Sequence, residues 1–265
     1  MPVEARVRLP WVLAGATILL QIGYPLAGGA VRDRLTVAIV VCFALATVTH
    51  AWSVRGLPAV LVLAGVAAIG LAAEWIGLRT GVPFGRYTYR GRLGARVAGV
   101  PLVVPLAWAM MAWPGAQVAR RLARSRPVRV LAGAWALAAW DLFLDPQMVT
   151  AGYWTWWHPN PHLPGVDTVP LTNYGGWLLV AVGISLVLQV FLDTGPRIDD
   201  HQPLALFGWT YASSVLALAL FLPLAGAAAW GALGLGIVAL PLAAQACPRW
   251  PRLPRRAVGE PVRHR

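Results

Sequence analysis

Eight apolar blocks divide the chain: Trp11–Gly29, Thr36–Ser53, Leu57–Leu78, Pro101–Ala119, Val128–Asp145, Tyr174–Leu192, Leu204–Leu224 and Ala228–Ala246. Most approach the ~20 residues a helix needs to cross a ~30 Å hydrocarbon layer. Charged side chains are gathered into short stretches between the blocks. The pattern predicts an all-α fold, a polytopic transmembrane bundle of about eight helices, with seven as the alternative. Residues 1–247 form the transmembrane domain, and 248–265 a basic, Pro- and Arg-rich tail expected to be disordered. Arg6 and Arg8 before the first block and the small residues Ala27–Ala30 after it imitate a secretory signal; with seven blocks behind, a retained helix is expected.

Composition sharpens this. At 265 residues and 58% hydrophobic, the chain departs from soluble domains, which keep a polar skin around one core. The net charge of +12 raises the question of nucleic acid. All 22 basic residues are arginines, however, and they flank the helices and fill the tail, as in membrane proteins. Membrane lipid is the expected partner, and nucleic acid is not. Cys42 and Cys247 are lone cysteines in apolar stretches, read as small core residues.

With eight crossings and an inner N-terminus, 15 arginines fall on the inner side and 7 on the outer. The bias predicts a multi-pass protein of the cytoplasmic membrane with both termini cytoplasmic. The loop Arg79–Gly99, with five arginines, resists. Were Pro101–Ala119 re-entrant, as Pro101, Pro105 and Pro114 would allow, that loop would turn inward and seven crossings remain.

Ten residues are acidic. Glu4, Asp33, Asp167, Asp193, Asp199, Asp200 and Glu260 read as loop or tail residues. Glu74, Asp141 and Asp145 fall at membrane depth, where an ionised carboxylate costs ~2.5–3.5 kcal/mol near a helix centre. Such groups are expected to be neutral, paired or functional. Asp141 and Asp145, four apart, share a helix face. Pro146 disfavours helix at Asp145, which is therefore expected at the wetter helix end. In the eight-crossing arrangement, helices three and five run the same way, and Glu74 approaches the same membrane face as the aspartates. A shared site requires eight crossings. The structural alternative is that the acids pair with arginines, Glu74 with Arg79 or Asp145 with one from the Arg79–Arg96 loop.

Aromatic residues crowd the same end. Tyr153, Trp154, Trp156 and Trp157 lie within five positions, and Asn173 and Tyr174 open helix six. Gly81, Pro83 and Gly85 suggest a fixed turn bringing Phe84, Tyr87 and Tyr89 toward that face. An interfacial belt explains any one ring; the density suggests a site whose π faces stabilise a cation. His158 and His162 are separated by Pro159 and Pro161, so no helical metal pair forms, and no metal is expected. Asp199-Asp200 reads as a solvated loop, and Gln21 and His50 as buried polar groups without an evident partner.

Several stretches resemble the CruF-type carotenoid hydratases, a family of polytopic carotenoid-biosynthesis proteins that includes bisanhydrobacterioruberin hydratase. They are Glu74-Trp-Ile-Gly, Thr80-Gly-Val-Pro-Phe-Gly-Arg-Tyr, Val100-Pro-Leu-Val-Val-Pro-Leu-Ala-Trp108, Ala139-Trp-Asp-Leu-Phe-Leu-Asp-Pro-Gln-Met148, Gly152-Tyr-Trp-Thr-Trp156 and Asn173-Tyr-Gly-Gly-Trp177. The likeness spans roughly residues 60–195. It implies addition of water across the terminal C1–C2 double bond of an acyclic carotenoid, with no redox cofactor or metal. Such a reaction protonates carbon and captures a tertiary cation. The donor must be an acid still protonated near neutral pH, a state that apolar surroundings favour for a carboxyl.

On this reading Asp141 is the general acid, Asp145 handles the water, and Glu74 is a third member or the true acid. Trp140, Trp154, Trp156 and Tyr87 shield the cation and hold the polyene end; Phe84, Tyr89 and Tyr153 complete the binding surface. Asn173 and Tyr174 donate hydrogen bonds. The partners implied are a lipid-soluble carotenoid and other enzymes of its pathway. The competing readings are a proton-coupled transporter, a cyclase or prenyltransferase, and a scaffold for pigment enzymes. A transporter needs polar groups continuing to the inner face, and a prenyltransferase needs paired Asp-rich motifs that Asp199-Asp200 does not supply.

Overall fold

The computed structural model describes residues 3–192 and 199–246; the tail 248–265, Arg197, Asp193, Cys247 and Glu260 lie outside them. The helices are α1 (Val3–Gly23), α2 (Gly29–Arg55), α3 (Leu57–Thr80), α4 (Val103–Leu122), α5 (Arg126–Ala138), α6 (Asp141–Thr150), α7 (Leu171–Leu192), α8 (His201–Leu220) and α9 (Ala225–Ala246). Among the described residues seven spans are long and apolar enough to cross a membrane, with α5 and α6 forming one of them. Leu19, Leu61, Leu179, Leu233 and Ile237 stand exposed on their outer surfaces. So large an apolar surface is costly in water and suits lipid.

The helix outside that set is α4. Every residue from Trp108 to Ala119 is buried, and the helix touches α2, α3, α5, α7, α8 and α9. A helix enclosed by protein rather than lipid need not match the hydropathy of its neighbours. Its 20 residues cover about 30 Å. At one end Trp108 meets Glu74 near the end of α3; at the other Arg121 binds Asp200 beside the start of α8. It therefore crosses the full bundle, and the re-entrant alternative does not describe it.

The same reasoning orders the rest. On the far face Arg126 donates to the Gln189 carbonyl (2.7 Å), and Gln202 to that of Pro10 (3.4 Å). On the near face Arg92 pairs with Asp33, and Trp230 donates to the Pro164 carbonyl (3.0 Å). Taking α5 and α6 as one, successive spans alternate in direction, and both ends of the described chain lie on the far face.

Three two-stranded ribbons, read as loops from the sequence, close the near face: β1 (Tyr87–Tyr89) with β4 (Trp154–Trp156), β2 (Arg96–Val97) with β3 (Val100–Pro101), and β5 (His162–Leu163) with β6 (Val166–Pro170). In the first, Tyr87 faces Trp156, Thr88 faces Thr155 and Tyr89 faces Trp154. Side chains alternate along a strand, so the four large rings share one face and the threonines the other.

Several expectations need correction. Helix five does not end at Asp145. It breaks at Ala139–Trp140 and resumes through Pro146 to Thr150. Proline removes one donor, here from the Leu142 carbonyl, and crowds the preceding turn; α6 nonetheless holds Pro146 in its interior. Asp33 lies within α2, where Arg92 grips it with two nitrogens (2.7 and 3.0 Å). Glu4 lies within α1. Asp200 is buried and bound by two nitrogens of Arg121 instead of solvated. His50 and Gln21 both have partners: Trp113 and the Asp199 carbonyl for His50, Trp209 for Gln21.

Glycine permits a close approach of α3 and α4. A Cβ on Gly70 of α3 would lie 2.6 Å from the Trp108 ring of α4, whereas at Gly65 it would meet nothing within 4 Å. Gly70→Val is expected to destabilise the protein by about 1–3 kcal/mol through overpacking, seen as a lower Tm in detergent, with Gly65→Val far less affected.

Candidate functional site

Glu74, Asp141 and Asp145 are 5%, 0% and 3% exposed, so all three carboxyls have left solvent. Among the described residues no arginine pairs with them. Arg79 lies over the Trp75 ring (4.9 Å), and Arg92 is taken by Asp33. Neutral donors serve them instead.

Glu74 sits in the last turns of α3, just before Gly81 (φ 80°) ends the helix. The Gly85 amide then bonds the Gly81 carbonyl (2.7 Å), forming the tight turn that returns β1 under α3. That return brings the Tyr87 and Tyr89 hydroxyls to Glu74 Oε2 at 2.5 and 2.7 Å. Trp108 Nε1 donates to Oε1 (3.3 Å). Burial first, and then the charge of Glu74, push both phenols well above the usual tyrosine range. They remain donors at any pH the protein meets.

The aspartates stand one turn apart on α6. Asn173, in the first turn of α7, donates its single Nδ2 to Asp141 Oδ2 (2.7 Å) and to Asp145 Oδ2, and Trp154 Nε1 donates to Asp145 Oδ1 (3.0 Å). The two carboxyls thus share one amide nitrogen as donor. Asp141 Oδ1 and the Tyr174 hydroxyl are buried without a partner.

Between the acids lies a cavity of about 70 Å³. Glu74 and Asp145 both line it. Tyr87, Tyr89 and Phe84 form one wall, Trp154, Trp156 and Trp140 others, with Asn173 below the aspartates. Asp141, Tyr153 and Tyr174 are not part of the lining. Asp141 stands behind Asp145; Tyr153 turns its hydroxyl to Thr36 (2.8 Å) beneath the Arg92 guanidinium. Among the described residues no three acidic, histidine or cysteine side chains are grouped to hold a metal ion.

The sequence reading missed several lining residues. Trp108 and Trp177 stack face to face (3.8 Å between centroids, 19° between planes), and Trp140 meets Trp177 edge-on at 6.1 Å. Thr36, Met110, Leu144 and Met148 complete the side away from the ribbon. Both stacked tryptophans end stretches quoted above for their resemblance, which was the available signal. The methionines and leucine carry none that separates them from ordinary core.

A family profile described as "Carotenoid biosynthesis protein" matches residues 35–242, covering every element of this site. The chain belongs to that family. It is also 33% identical over 126 residues to a bisanhydrobacterioruberin hydratase from Haloarcula japonica, an alignment spanning 44% of this chain and 41% of that relative. No solved structure matches. The resemblance drawn from the sequence motifs agrees with both matches.

A lipid-soluble carbodiimide, which attacks neutral carboxyl groups, is expected to modify the cavity-facing acids Asp145 or Glu74 and to spare Asp141. Peptide mass spectrometry of the labelled protein reads this directly; labelling confined to Asp141 would contradict the cavity's placement.

Proposed function

We propose that this membrane protein is a carotenoid hydratase needing no redox cofactor or metal. It would add water across the terminal C1–C2 double bond of an acyclic carotenoid in the cytoplasmic membrane, with its termini on the cytoplasmic side and pathway enzymes as neighbours. One observation carries the reading: an apolar, aromatic-walled cavity with carboxyl groups on two opposed elements, α3 and α6. The named activity of the Haloarcula japonica relative supports it.

The two acids are differently equipped. Glu74 accepts from three neutral donors and faces Asp145 across the cavity. Asp141 and Asp145 are adjacent, with no cation to offset two charges, so the pair retains a proton. Asp145 reaches the cavity and presents that proton; Asp141, which shares the Asn173 amide with it, lies off the lining. This reassigns the roles expected from sequence, in which Asp141 donated.

Asp145 transfers its proton to C2 of the end group, leaving a tertiary cation at C1. Trp108, Trp177 and Trp140 offer π faces to that charge. A water oxygen bonds C1 and gives up its proton to Glu74. Passing that proton back to Asp145 restores the site. The reaction is redox-neutral.

Expression in a lycopene-producing host tests this: pigment should gain the mass of one or two waters. Asp145→Asn and Glu74→Gln should lower conversion about 10²–10⁴-fold, the usual worth of a positioned acid or base, and Asp141→Asn less. Lycopene unchanged in mass by the unmodified protein removes the assignment.

A further inference from the structure

A cavity of about 70 Å³ accommodates the branched end of an isoprenoid, well short of the ~300–1,000 Å³ that larger ligand sites occupy. The polyene attached to that end must leave by some route. A second cavity, of about 120 Å³, adjoins the first and shares Thr36, Val40, Met110, Trp140, Leu144 and Met148 with it. A third, of about 280 Å³, shares Gln21, Pro25, Ser213 and Ala217 with the second. Its outer lining includes Ile22, Leu26, Leu216 and Phe221, all exposed on the surface that faces lipid. The three form one line from the acids to the cleft between the end of α1 and α8.

From this continuity we propose that the cleft between α1 and α8 is the lateral port through which the polyene chain of an acyclic carotenoid enters, with its body lying in the second and third cavities. The inference rests on the hydratase reading and identifies where the substrate lies. Several of the middle cavity's polar side chains direct their hydrogen bonds to protein. Thr36 bonds Tyr153, Thr210 bonds the Leu206 carbonyl, and Gln21 accepts from Trp209. What faces the space is largely methyl, methylene and ring surface, which suits a hydrocarbon chain. Ser213 and Ala217, one turn apart on α8, each line both outer cavities.

The test uses full-length protein in liposomes with lycopene and two readouts: carotenoid retained on the purified protein, measured by visible absorbance, and hydrated product. Ala217→Trp, or Ser213→Phe should the first fail to fold, is expected to lower both at least about tenfold. Leu179→Trp, a bulky change on the exposed face of α7, should leave both near wild type. Each variant must elute as a single species with unchanged Tm. A folded Ala217→Trp or Ser213→Phe protein that retains and hydrates lycopene like wild type overturns the port while leaving the hydratase reading intact. Wild-type protein that retains lycopene without hydrating it, with retention lost in the blocked variants, supports the port and overturns the reaction. Wild-type protein that does neither overturns both.

Discussion

Three carboxyl groups lie inside an apolar bundle, and among the described residues no guanidinium compensates any of them. An isolated charge in such a medium is prohibitive, and even an unpaired polar atom costs about 1–3 kcal/mol. The chain meets this with neutral donors: two phenols and an indole on Glu74, one amide across Asp141 and Asp145, and a second indole on Asp145. Much of the near face is arranged around delivering them. The β1–β4 ribbon exists where two tyrosines and a tryptophan must point down together. Asn173 opens α7 beside the aspartates, and α4 is drawn against Gly70 so that Trp108 reaches Glu74. Arginine is abundant nearby, yet Arg92 is held by Asp33 and Arg79 lies over Trp75. A guanidinium at the site would fix the acids as charged carboxylates; phenols, indoles and an amide let one of them keep a proton.

The far face solves a similar problem differently. There His50 lies between Trp113 Nε1, which donates to its Nδ1 (3.0 Å), and the Asp199 carbonyl, which accepts from Nε2 (2.9 Å). Those two bonds fix one neutral tautomer. Arg121 and Asp200 form a direct ion pair close by. Here charge is neutralised by charge and histidine is spent on structure, whereas around the three buried carboxyls neither is true. That contrast separates a cluster built for packing from one that suits proton transfer.

Much of this was legible in the residues. The apolar blocks located the helices because the bilayer imposes one length on them all, and the three acids stood out because lipid tolerates so few. Tyr87-Thr-Tyr89 and Trp154-Thr-Trp156 already carried the alternation of a strand, but three residues are too few to reveal a period, and pairing across 67 positions of chain has no local signal. Helix ends were harder. Pro146 is a strong local stop, yet α6 continues through it to Thr150, after a break at Ala139–Trp140 that no side chain announced. Asp33 and Asp200 looked like loop residues since their partners, Arg92 and Arg121, come from distant segments.

On the proposed mechanism, the position of Asp141 shows that burial alone does not assign a role. Asp141 is the more buried of the pair, but a proton donor must face the reacting carbon as well as be shielded from water. One turn of helix carries Asp145 to the cavity wall and leaves Asp141 behind it, where its second oxygen has no partner at all. In the proposed reaction a carboxyl in that place shares its neighbour's proton and does not itself reach the olefin. Periodicity could pair the two aspartates on one face; only the packing of α7 and the ribbon against that face decides which of them lines the cavity.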